Sequence, residues 1–221
     1  MKKPPAHQTY PTEAAPGNAP RGRPKDPERM RRILEAAGRH FYEHGFERAS
    51  LDAIAKDAGV SKMTVYSHFA SKELLFEAVI GVRTERVVGE LPGTQALDPR
   101  HPRKALTVVG MQFLALMRSE EVLGQFRALY AAAGAQPDAC RGFYRQGAER
   151  LINELAAYLV CAHNAGTMKV PRTRQAADLF LAMFMGDGHI RGMLKLEQPG
   201  PLEDKALLRE AVRVFLAAYG T

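Results

Sequence analysis

The chain contains no uninterrupted apolar run of the ~18–20 residues that a helix needs to cross a bilayer. The apolar segment Leu155–Ala162 is too short to span, and Asn153 and Glu154 stand directly before it. Met1–Pro20 is proline, alanine and polar residues without an apolar block. No secretory signal, membrane association or export is therefore expected, and the expected location is cytoplasmic. Only two cysteines occur, Cys140 and Cys161, 21 positions apart. They cannot staple a disulfide scaffold, which fits a reducing compartment. On one helix they would lie roughly 30 Å apart at 1.5 Å per residue, so they read as idle or buried thiols.

Other absences exclude chemistry. No convincing alternating β pattern and no repeat of fixed period are found. The seven histidines form no ligand cluster. His40 and His44 stand at i,i+4, but no helix-borne Glu completes a zinc-protease pattern. Gly186-x-Gly188 follows no strand and lacks the third glycine of a nucleotide-binding loop. With no nucleophile–base pairing and no carboxylate pair in context, the expectation is no catalytic residues, no metal, no cofactor and no enzyme.

What is present is a core-forming helical chain with a basic bias. Of 221 residues, 46% are hydrophobic, enough to bury a real core, so wholesale disorder is excluded. The formal net charge is +7, unevenly spread. Residues 1–32 hold eight Lys/Arg against three acids, whereas residues 33–90 hold seven against nine. A basic N-terminal arm of this kind suits a polyanion, nucleic acid or anionic membrane, and charge alone does not choose.

The punctuation divides the chain into an arm over 1–25, a helical unit over 26–80 and a larger helical unit over 81–221. The arm is proline-rich and ends in Arg21-Gly-Arg-Pro-Lys25. Asp26-Pro27-Glu28 marks a strong helix start. Ile33, Ala37 and Phe41 lie on one face of that helix, and Gly45 ends it. Ser50 caps a short helix ended by Gly59, Ser61 caps another reaching His68, and Ser71 caps a third running to about Glu90. Short helix, glycine turn, short helix is the outline of a helix-turn-helix. Pro92, Gly93, Asp98-Pro99 and Pro102 mark a joint. Beyond it, helices are expected over 103–118, 120–133, 138–165, 174–195 and 202–219. The expected fold is all-α.

In the helix-turn-helix segment, Val60, Val65 and Phe69 can pack inward with Ile54 and Phe41. Lys62, Met63 and Tyr66 are left on an outward face of a short helix suited to the major groove of B-DNA. Ser61 and Thr64 at its N-terminus can donate to phosphate, and Lys72 adds a second phosphate contact. Met63 cannot hydrogen-bond a base edge, so it would read shape or a thymine methyl.

Residues Ile33–Val79 closely resemble the TetR family of transcriptional regulators. The resemblance rests on Phe41, Gly45, Phe46, Gly59-Val60-Ser61 and Val65-Tyr66-Ser67-His68-Phe69, followed by Ser71-Lys72-Glu73-Leu74-Leu75. The family's Tyr-x-x-Phe-x-x-Lys-x-x-Leu pattern is met by Tyr66, Phe69, Lys72 and Leu75. Phe143-Tyr144 leading into Arg150–Tyr158 resembles the AefR-like branch more loosely. The resemblance implies recognition roles for Lys62, Met63 and Tyr66, and phosphate contacts from Thr64, Tyr66, His68 and Lys72. It also implies a backbone contact from Ser50 and a DNA-binding tail at Arg21 and Arg23.

For the C-terminal unit the resemblance implies an effector pocket and a dimer. Phe113, Met117, Phe126, Tyr130, Phe143, Tyr144, Tyr158, Met183 and Phe184 are candidate pocket residues, since such a set can enclose an apolar cavity with polar tips. The last two helices would pair with a second copy through Phe180, Phe184, Gly188, Leu208, Val212 and Phe215. A two-fold dimer predicts a palindromic operator. The expected protein is a homodimeric repressor on double-stranded DNA, released by a small apolar or amphipathic ligand. The alternative is a DNA-binding protein that answers to a protein partner or acts constitutively, without a small molecule.

Overall fold

The computed structural model describes residues 27–89, 93 and 96–221. The arm with Arg21 and Arg23, the cap Asp26 and the breaker Pro92 lie outside the described residues. Regular structure among those described is helical, apart from an isolated antiparallel bridge between Met168 and Gly220.

Two cores organise the chain. The first begins with α1 (Pro27–Arg48), whose Ile33, Ala37 and Phe41 repeat every four residues and are fully buried. At Gly45 the backbone leaves the helix at φ 78°, a left-handed value that a residue without Cβ adopts freely. That turn brings Phe46 back under Phe41, and both rings pack edge-on against Phe76, at 5.0 Å for Phe41 and 5.2 Å for Phe46. Helix α2 (Leu51–Asp57) buries Ile54 and Ala55. It is joined to α3 (Lys62–His68) by a turn in which Gly59 takes φ 65°. Ser61 Oγ accepts the Thr64 N–H at 3.1 Å, capping α3. Ser71 Oγ accepts the Leu74 N–H at 3.3 Å at the start of α4 (Lys72–Gly89). Ser50 has the extended backbone of a cap before α2, but its side chain makes no capping bond.

Helix α4 buries Leu75, Phe76, Val79 and Ile80 in this first core. Ala128, Leu129 and Ala132 of α6 (Glu120–Ala132) and Ala139 of α7 (Pro137–Phe143) share it. The helix-turn-helix unit is thus seated on the helices beyond residue 81. The second core lies between α5 (Pro102–Arg118), α8 (Arg150–Asn164), α9 (Thr173–Ala182) and α11 (Pro201–Tyr219). Phe180 is at its centre, 5.4 Å from Phe184 and 5.0 Å from Phe215.

Two expected helices are interrupted. The segment expected over 138–165 begins as α7, passes through a π-helical turn at Tyr144–Glu149 and continues as α8. The segment expected over 174–195 is not one helix. It ends as α9 at Ala182, turns through Met183–Gly186 and restarts as α10 (Asp187–Met193). Gly186 and Gly188 weaken helix propagation there, and Gly186 departs from helical geometry with ψ −144°. The broken chain lets α10 pack against α5 and α6.

Phe76 joins α4 to the buried Phe41 and Phe46 rings of the first core and is itself fully buried. Phe76→Ala is expected to cost about 3–5 kcal/mol of stability. Urea unfolding checks this; a loss under about 1 kcal/mol would mean that the ring cluster does not hold α4 in place.

Candidate nucleic-acid interface and internal cavity

Helix α3 is short and two-faced. Val65 is buried against the first core, whereas Lys62, Met63, Tyr66 and Ser67 are exposed together on the opposite side. Lys62 Nζ donates to Asp52 Oδ2 of α2 at 2.8 Å, and that carboxylate holds the ammonium pKa above its ordinary value. Both partners are open to solvent, so the pair contributes little to stability and can be exchanged for a phosphate. The Ser61 and Thr64 hydroxyls lie 2.9 Å apart, and Ser67 Oγ donates to the Thr64 carbonyl at 2.8 Å. Met63 and the Tyr66 ring project beyond these local bonds, Met63 with 75% of its surface exposed.

Around α3, Ser50 is exposed at the start of α2. Lys72 Nζ donates to the Glu47 carbonyl at 2.9 Å and sits 4.7 Å over the Phe46 ring. Lys72 therefore ties α4 to the turn after Gly45, while an ammonium retains further N–H donors for another acceptor. His68 is half-buried, and its Nδ1 is turned inside without a hydrogen-bond partner among the described residues. The Lys62, Met63 and Tyr66 side chains thus share one exposed surface with the capped N-terminus of α3, a geometry able to enter a groove and meet phosphates at its edges. Arg21 and Arg23 lie outside the described residues.

An apolar cavity of about 170 Å3 lies at the other end of α4. Its walls include Val87 and Val88 of α4, Phe113 and Met117 of α5, Phe126 of α6 and Phe143 of α7. Leu151 and Ile152 of α8 and Leu181 of α9 complete much of the rest. Of the residues expected at a pocket, Phe113, Met117, Phe126 and Phe143 line it. Tyr130 and Tyr144 are exposed, and Tyr144 borders a neighbouring open groove. Tyr158 and Phe184 are buried in the second core, and Met183 packs on that core. Tyr158 instead directs its hydroxyl to the Asp98 carbonyl at 3.4 Å.

Three features of the cavity carried little sequence signal. Gln125, buried on α6, donates through Nε2 to Thr84 Oγ1 at 2.7 Å, and Thr84 donates to the Ile80 carbonyl at 2.7 Å. A lone glutamine on an otherwise apolar helix face was the available clue. Gly147, in the π-helical turn, approaches Thr84 so closely that a Cβ there would lie 3.1 Å from its methyl group. Asp178 lines both the cavity and the open groove beside it, placing a carboxylate at the mouth.

The residues expected at a dimer surface are mostly turned inward. Phe180, Phe184, Val212 and Phe215 are buried within the chain, in the core shared by α5, α8, α9 and α11. Gly188 is buried beneath the Arg118 guanidinium, which occupies the space a Cβ would need. Leu208 is half-buried. The exposed apolar side chains of this part are Leu179, Ile190, Leu194, Leu196, Leu202 and Val214.

Polar pairs bind α4 to the C-terminal helices. Glu121 pairs with Arg86 and, at 3.6 Å, with Arg83, whose guanidinium also stacks 4.5 Å over the Tyr42 ring of α1. Burial pushes the Tyr42 hydroxyl up to about 12. Arg150 reaches Glu85 at 3.2 Å. No helix among the described residues is long and apolar enough to cross a membrane.

Comparison with known proteins bears on both units. Residues 33–79 match the profile of bacterial regulatory proteins of the tetR family. Residues 104–221 match that of the AefR-like transcriptional repressor C-terminal domain. The A-factor receptor protein of Streptomyces griseus is 35% identical over 88 residues, which are 40% of this chain and 29% of that relative's length. The regulator EthR of Mycolicibacterium smegmatis (strain ATCC 700084 / mc(2)155) is 26% identical over 215 residues, 95% of this chain and 97% of that one. The solved structure of the flavonoid-responsive regulator FrrA is 30% identical and superposes with a TM-score of 0.75, covering 88% of this chain and 98% of that one. With both units matched in order, the chain belongs to the TetR family of DNA-binding transcriptional regulators, which are transcription factors rather than enzymes.

Proposed function

We propose that the protein is a homodimeric repressor that releases a palindromic operator when a small apolar or amphipathic molecule occupies the cavity. The observation that carries this reading is the course of α4. Its first half is built into the core beneath α3, through Leu75, Phe76, Val79 and Ile80, and its last turns supply Thr84, Val87 and Val88 to the cavity wall. From Lys72 to Val88 it spans roughly 24 Å as one helix at 1.5 Å per residue. A displacement at one end is thereby carried to the other.

The cavity volume supports a link between occupancy and movement. A cavity of ~150 Å3 accommodates one benzene ring, whereas sites for drug-sized ligands run to about 300–1,000 Å3. A molecule larger than a single ring must push the walls apart, and α4 forms one of them. The ligand then favours the expanded state, and it weakens DNA binding by as much as it prefers that state. The solved relative described as flavonoid-responsive supports an aromatic effector, and the AefR-like repressor profile supports repression. The two-fold partner is a second copy, received on exposed apolar residues such as Ile190, Leu194 and Leu202.

Two measurements test the reading. Operator affinity is measured with and without a panel of single-ring phenols and flavonoids. An active compound is expected to weaken binding roughly 5–150-fold, the range of ordinary coupling energies. Ala148→Leu, which fills part of the cavity, is expected to abolish that response while leaving operator affinity unchanged. A panel without effect, together with an Ala148→Leu protein indistinguishable from the parent, would favour regulation without a small molecule.

On the DNA side, Lys62→Ala is expected to weaken binding to all duplexes alike and to lower the salt dependence by about one phosphate contact. Tyr66→Ala is expected to weaken operator binding as well. Unchanged titrations for both variants would remove α3 from the interface.

A further inference from the structure

We propose that Met63 sets operator specificity by placing its thioether against the C5-methyl group of a thymine in the major groove. The proposal rests on the DNA-binding role of α3 and adds which chemical group its most exposed apolar side chain reads.

The argument begins with what the other side chains of α3 already do. Lys62 is held by Asp52 at 2.8 Å, which draws its ammonium toward α2 and the edge of the surface. Ser61 and Thr64 are bonded to each other at the helix cap. Ser67 directs its hydroxyl proton to the Thr64 carbonyl. These polar groups are suited to phosphates along the groove or are engaged within the helix. Met63 has no such tie. It stands on the outward face opposite Val65 with 75% of its surface in water, more than any aromatic side chain of the helix-turn-helix unit.

Such a side chain limits what it can recognise. A thioether has no donor and only a weak acceptor, so it cannot replace the water lost from a purine N7, a carbonyl oxygen or an exocyclic amine. Docking on those groups would desolvate them without compensation. The thymine C5-methyl is the one methyl group displayed in the major groove of unmodified DNA, and it projects further than the cytosine C5–H. Burying it against Met63 removes apolar surface from water on both sides. The unbranched, flexible methionine chain can follow the methyl without strain in α3.

The test uses the full-length protein and a duplex recovered from a random pool by repeated selection, at one fixed salt concentration. Each thymine of that duplex is replaced in turn by deoxyuridine, which removes the C5-methyl and leaves base pairing intact. At one thymine in each half-site, the parent protein is expected to bind the uracil duplex about fourfold more weakly, the effect of losing one buried methyl contact. Met63→Ala is expected to bind the thymine and uracil duplexes equally. Lys62→Ala is expected to be weaker on both and to keep the fourfold ratio. Should Met63→Ala bind too weakly to measure, Met63→Leu, which retains an apolar tip, is expected to preserve the thymine preference, and its loss would overturn the proposal. A parent protein indifferent to every uracil, or a Met63→Ala protein that keeps the preference, would also overturn it while leaving DNA binding intact. Failure of any duplex to be enriched would instead defeat the assignment of α3 as a recognition helix, and the proposal with it.

Discussion

Helix α4 is the constraint on which the rest of the structure depends, because a single rigid rod belongs to two cores. Phe76 locks its first half to Phe41 and Phe46, and Thr84, Val87 and Val88 bring its last turns to the wall of the cavity. A sharp kink in α4 would break backbone hydrogen bonds, whereas a small tilt of the whole helix leaves them intact. The ring of partners around its middle, Tyr42, Gln125, Glu121 and Arg150, defines one resting position. The Gln125–Thr84 bond has most consequence, since it is buried and joins α6 to α4 beside the apolar space. A buried polar group is costly to leave unpaired, so any movement that separates the two must supply another partner or lose stability.

The π-helical turn at Tyr144–Glu149 bears on the same contact. An extra residue in the turn changes the helix phase between Phe143 and Arg150. Gly147 is thereby directed at Thr84, and Phe143 and Ala148 line the cavity. Irregular helix, close backbone approach and buried hydrogen bond all meet at the point where the cavity touches α4. At the opposite end, the cap formed by Ser61 fixes the start of α3. Lys72 fixes the start of α4 to the turn after Gly45.

Much of the first unit was legible in the sequence because its determinants are local. Glycines at 45 and 59, serines at 61 and 71, and apolar residues spaced by three and four define turns, caps and faces within a few residues of one another. The exposed face of Lys62, Met63 and Tyr66 follows from the burial of Val65 and needs no distant contact. The cavity was only half legible. Phe113, Met117, Phe126 and Phe143 were identified as aromatic or flexible apolar residues, but the same chemistry led to Tyr158 and Phe184, which are ordinary core.

By itself, the sequence determined an all-helical chain, the capped and glycine-punctuated helix-turn-helix, and the family that such an ordered pattern marks. Tertiary structure decided where the long C-terminal helices break, which face of each is buried and where space remains. Those outcomes depend on side chains far apart in sequence, as where the Arg118 guanidinium covers Gly188 and α10 turns onto α5 and α6. Packing of this kind also took Phe180, Val212 and Phe215 into the interior of the chain. Helical periodicity states that a face is apolar, but the element that covers it is chosen only when all faces compete for the same volume.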